Sequence, residues 1–134
     1  MKSPKIIRLS IALAAAMLGG LAGVAAAQIT GDVIATSQGD LVIHPIDHAT
    51  FVMGWNGKAI YVDPVGGQER FAGLPAPDLI LVTDIHGDHM SAETLEAIVT
   101  PQTTIIAPAA VAGRLPASLT GQTISLANGE RSML

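Results

Sequence analysis

Asp78-Leu79-Ile80-Leu81-Val82-Thr83-Asp84-Ile85-His86-Gly87-Asp88-His89 is the stretch that decides the fold. Leu79 to Val82 is an unbroken apolar run, and it predicts a strand over 78–84 covered on both faces, as in a parallel sheet. Two aspartates and two histidines then fall within six residues: Asp84, His86, Asp88 and His89. Imidazole nitrogens and carboxylate oxygens are both good ligands for Zn²⁺, Mn²⁺ or Fe²⁺. In an extended segment residues i and i+2 point the same way, so Asp84 and His86 can grip one ion. Beyond the turn at Gly87, Asp88 and His89 can face a second. Two ions about 3.5–4 Å apart would polarise a substrate and generate hydroxide at neutral pH.

Working towards the N-terminus, residues 58–63 and 49–55 are β-rich runs joined by Asn56-Gly57. Asn-Gly between apolar runs predicts a hairpin closed by a two-residue type I′ turn. Residues 41–46 read as a further strand disturbed by Pro45 and carrying His44, and residues 32–36 as a short one. Residues 64–77, rich in Pro and Gly, read as a loop, and Trp55, the only Trp, is expected to pack beside the hairpin turn. Towards the C-terminus, Ser91 is a suitable N-cap for a helix to about Val99, with Glu93 and Glu96 in its early turns. Residues 103–107 read as a buried strand, Pro108 can open a short helix to Gly113-Arg114, and residues 123–126 read as a last strand before a turn at Asn128-Gly129. A hairpin followed by strand–helix alternation predicts a sheet with helices on one face and the other face exposed.

The first 27 residues carry Lys2, Lys5 and Arg8, no acid, an apolar run from Ile11 to Ala26, and an exit at Ala25-Ala26-Ala27. That is the pattern of a secretory signal peptide cleaved after Ala27, which implies a periplasmic or secreted product with no stable membrane anchor. Removing 27 of the 134 residues leaves 107, in which four Lys+Arg face eleven acids. This balance argues against a nucleic-acid partner, which would need cations to displace phosphate counterions. An apolar content of 49% argues against disorder, and the absence of Cys excludes disulfides, a thiolate nucleophile and Cys-ligated zinc.

At residues 84–89 the sequence resembles the metallo-β-lactamase superfamily, whose signature is His-x-His-x-Asp-His after a buried strand. Here Asp84 stands in the first His position. The resulting Asp-x-His-x-Asp-His is similar to the branch of metal-dependent hydrolases related to ascorbate-phosphate lactonases. His48-Ala49-Thr50-Phe51, Ile60-Tyr61-Val62-Asp63-Pro64 and the strand 78–83 are similar to further segments of that branch. The resemblance covers about residues 41–130. It implies an α/β (α+β) fold, the N-terminal half of a four-layer αββα metallo-β-lactamase sandwich, over residues 28–134. It also implies two divalent ions (Zn or Mn), with Asp84 and His86 on the first and Asp88 and His89 on the second. Asp88 would also orient or deprotonate the attacking water. His48 and Asp63 would stand at strand ends near the site, in the shell behind the ligands, and for Asp63 a structural turn role before Pro64 is the favoured reading.

Family members run to about twice the mature length, and their second half supplies a further His, a bridging Asp and a last His. After His89 this chain has no His, and its later acids are Glu93, Glu96 and Glu130. The expectation is therefore a truncated hydrolase of a small ester, lactone or phosphorylated metabolite. The alternative is a non-catalytic periplasmic module that binds metal or a partner. An exposed half-sheet would offer a surface for self-association.

Overall fold

The computed structural model describes residues 27–133. The predicted leader lies outside them, apart from Ala27. Seven strands form one sheet in chain order: β1 (Asp32–Ile34), β2 (Leu41–Asp47), β3 (Thr50–Trp55), β4 (Lys58–Val62), β5 (Leu79–Leu81), β6 (Thr104–Ala107) and β7 (Thr123–Ser125). The first four are antiparallel and β4 to β7 are parallel. The Asn56-Gly57 turn has φ of 48° and 73°, the double left-handed geometry that a type I′ hairpin requires.

Three helices, α1 (Ala92–Ile98), α2 (Ala109–Ala112) and α3 (Ala117–Thr120), lie in the crossovers between the parallel strands. Ser91 caps α1, its hydroxyl accepting from the Thr94 N–H. Because β4 to β7 follow one another in a single direction, right-handed crossovers put every helix on the same face. There Ala59, Tyr61, Ile80, Ile105 and Ala107 are buried against Leu95, Val111 and Leu119. Phe71, from a 3₁₀ turn at Gln68–Phe71, stacks on Tyr61 with ring centroids 5.0 Å apart.

Side chains alternate across a strand, so the opposite face carries Phe51, Ile60, Leu79, Leu81, Ile106 and Ile124, all partly exposed. The fold is the expected one-sided α/β half-sandwich. Several sequence expectations need correction. The run 79–82 is covered on one face only. The 3₁₀ turn falls within the stretch read as a loop, and α3 was not foreseen. Strand β5 stops at Leu81 rather than Asp84, because the Thr83 N–H turns from the ladder to the Asp63 carboxylate.

Candidate metal centre

Parallel strands deliver their carboxyl ends to one edge of the sheet, where α/β folds place their sites. At this edge β4 ends in Asp63 and β5 runs into residues 83–90. The turn between β2 and β3 brings His48 to the same edge.

Asp63 organises it. Its side chain is 3% exposed, and its backbone is left-handed at φ 45°. Oδ1 accepts from the Thr83 N–H at 2.7 Å, and Oδ2 accepts from the Thr83 hydroxyl at 2.6 Å. Oδ2 also meets His89 Nδ1 at 2.8 Å. The Asp63 carbonyl accepts from the buried Thr50 hydroxyl at 2.6 Å, tying the strand end to β3. Asp63 is thus more than the structural turn residue favoured from sequence, because it positions a candidate ligand. The signal was a lone acid closing an apolar strand. Thr83 and Thr50, which the sequence reading passed over, complete the network.

A carboxylate at Nδ1 fixes the His89 tautomer with its proton there and the Nε2 lone pair free, the form that ligates a cation. The bond to Asp63 raises the His89 imidazole above its ordinary value, against a smaller lowering by desolvation.

Asp84 and His86 meet each other directly, with Oδ1 2.5 Å from Nδ1. The same carboxylate accepts the His86 backbone N–H at 3.1 Å, and that bond chiefly holds the Asp84 carboxyl below the usual carboxylate range. His86 is 75% exposed, and its carbonyl accepts the N–H groups of His89 and Met90, closing the loop into a tight turn. Asp88 Oδ2 stands 3.7 Å from His89 Nε2. His48 lies apart from these groups. It is 78% exposed, and its ion-pair partner is Asp47 at 3.7 Å. It therefore does not support the loop as a residue behind the ligands would.

The donor set suits a hard or borderline divalent cation. The four side chains form two pairs, and among the described residues no three His, Asp or Glu side chains converge on one point. Since zinc takes three or four protein ligands, neither pair alone makes up a zinc site. Beside Thr83 an open cleft of about 270 Å³ runs along the carboxyl ends of β5, β6 and β7, walled by Leu81, Ile106, Pro108 and Leu126, with Asn128 at its margin.

Comparison with known proteins gives the family and the fold. A crystal structure described as a metal-dependent hydrolase from Parabacteroides distasonis ATCC 8503 superposes with a TM-score of 0.64 at 30% identity, covering 77% of this chain and 45% of that one. Igni18, a metallo hydrolase from the hyperthermophilic archaeon Ignicoccus hospitalis KIN4/I, shares the fold with a TM-score of 0.55 at 19% identity over 70% of this chain and 42% of that one. The chain thus spans less than half the length of either. No curated protein matches it. The model of the β-lactamase superfamily domain matches residues 42–128, from β2 through β7 and including residues 84–89, and the chain belongs to that superfamily.

Proposed function

We propose that the protein is a metal-dependent hydrolase of a small ester, lactone or phosphorylated metabolite, in the branch resembling ascorbate-phosphate lactonases. Asp84 in the first ligand position supports that branch. The observation that carries the reading is the buried Asp63 carboxylate on His89 Nδ1, which prepares Nε2 as a ligand. Asp84 with His86 and Asp88 with His89 are the proposed ligand pairs for two ions, Zn or Mn. Bound metal would supply Lewis acidity and lower the pKa of a water. Asp88 is proposed to orient that water and to accept its proton at a carboxylate oxygen. The cleft beside Thr83 is the proposed seat of the small-molecule substrate. The remaining ligands come from outside residues 84–89, in the rest of a full-length domain or in a second chain docked on the open sheet face. The leader pattern supports export, with cleavage after Ala27 and a periplasmic or secreted product.

Zinc and manganese titrations by calorimetry test the reading. Wild type is expected to bind and a His86→Ala, His89→Ala double variant to lose binding. Equal affinity in the two would overturn it. That no three candidate ligands converge among the described residues favours a second reading, a non-catalytic module that binds metal or a partner. Hydrolysis of a generic ester or lactone by the purified chain, abolished by chelation, would exclude that alternative.

A further inference from the structure

We propose that Gln28 is a modification site: once the chain is cleaved after Ala27, its new amino-terminal glutamine closes to pyroglutamate. The inference rests on the export reading above and deepens it, by fixing the chemistry of the mature amino end.

The Ala25-Ala26-Ala27 exit leaves Gln28 as the first residue. The side-chain amide carbon of a glutamine stands where attack by its own α-amine closes a five-membered ring. The deprotonated amine attacks Cδ and a C–N bond forms. The bond from Cδ to the amide nitrogen breaks, and that nitrogen leaves as ammonia with the proton the amine gives up. The reaction needs no oxidant and no second reactant. An α-amino group titrates near about 7.7–8.0, so a usable share of it is deprotonated at neutral pH.

The structure leaves both reacting groups accessible and fixes the chain just behind them. Gln28 is exposed and lies outside every strand and helix, and among the described residues its N–H bonds to no backbone carbonyl. One residue on, the chain is anchored. Ile29 is partly buried and packs against the core cluster. It sits over Gly54, where a Cβ would come within 3.3 Å of Ile29 Cδ1. The Thr30 carbonyl meets His44 Nδ1 at 2.5 Å. Gly31 runs so close to β2 that a Cβ there would lie 2.0 Å from the Ile43 carbonyl oxygen. Packing therefore begins at Ile29, and cleavage after Ala27 leaves a free end one residue long. That end borders an open cavity of about 430 Å³, whose other walls include Val42, Trp55 and Pro75. The ring has room to form there without displacing any packed residue.

The test is the mass of the mature chain. The full chain is expressed in a Gram-negative bacterium and purified from the whole culture. Intact mass is read at once and after prolonged incubation in native buffer, and the amino-terminal peptide is sequenced by tandem mass spectrometry. The expected product is residues 28–134, lighter by the mass of one ammonia, with the loss located at Gln28. Gln28→Ala should begin at the same position and keep its full mass. A chain that begins at Gln28 and keeps a free amine after incubation would overturn the modification and leave the cleavage reading standing. An equal loss of ammonia in Gln28→Ala would place it elsewhere and also overturn the proposal. A product that retains earlier residues, or begins later, would overturn both. Zinc titration of the same sample keeps the hydrolase reading separate: failure to bind zinc with the ring in place removes that reading and leaves this one.

Discussion

Asp63 shows how one buried side chain links the sheet to the loop. In Asp63→Asn the amide oxygen can still accept from the Thr83 N–H. The amide NH₂ would then face His89 Nδ1 and require that nitrogen to accept. The proton moves to Nε2, and the lone pair aimed outward is lost. The expected result is a folded protein with zinc affinity about 10–100-fold lower, checked by chelator competition and by ¹⁵N shifts of the His89 ring. Asp63→Ala instead leaves the Thr83 N–H without its buried acceptor and should cost roughly 2–3 kcal/mol in urea unfolding. The cluster of Asp84, His86, Asp88 and His89 stood out in the sequence, because His and Asp at that density after an apolar strand are uncommon. The role of Asp63 was harder to read. Its partners Thr83 and His89 are 20 and 26 residues away, and only the parallel β4–β5 pairing brings them together. His48 was placed at the right edge, but its left-handed turn carries the imidazole away from the loop.

Among the elements, the β3–β4 hairpin was the plainest in the sequence, since Asn-Gly leaves one favoured geometry. Gly57 has open space where a Cβ would sit, so the cost of Gly57→Ala comes from φ alone. A loss of about 1 kcal/mol is expected, measured by thermal or urea denaturation. The start of β5 is clamped less visibly. Asp78 accepts from Lys58 Nζ at 2.8 Å and from the Ala59 N–H at 2.9 Å, chiefly the former holding its carboxyl below the usual range. A lowered folded value means this contribution is present above the unfolded value near pH 3.9 and is lost as pH falls through the folded one. The gap in urea midpoint between wild type and Asp78→Asn should therefore be full at pH 5 and shrink as pH falls below about 4. Short elements were missed because α3 has four residues and the 3₁₀ turn four, too few to show a period.

At the scale of the molecule, the sheet has one packed face and one open face, and neighbouring residues of β6 report the two. Ile105 is fully buried against the helices, whereas Ile106 faces the open side. Ile105→Ala should cost about 2–5 kcal/mol and Ile106→Ala distinctly less, compared by urea denaturation under one set of conditions. This asymmetry was legible from strand–helix alternation, whereas the unbroken run 79–82 misled because it suggests cover on both sides. Strand order has a further consequence. Every strand pairs with the one made just before it, from β1 to β7. No pairing has to wait for a distant partner, and no loop closure is longer than one connection between consecutive strands. The sheet can therefore grow by addition at a single advancing edge, starting from β1 and β2. A polypeptide delivered amino-end first, by a ribosome or through a narrow pore, presents its strands in the order in which they assemble.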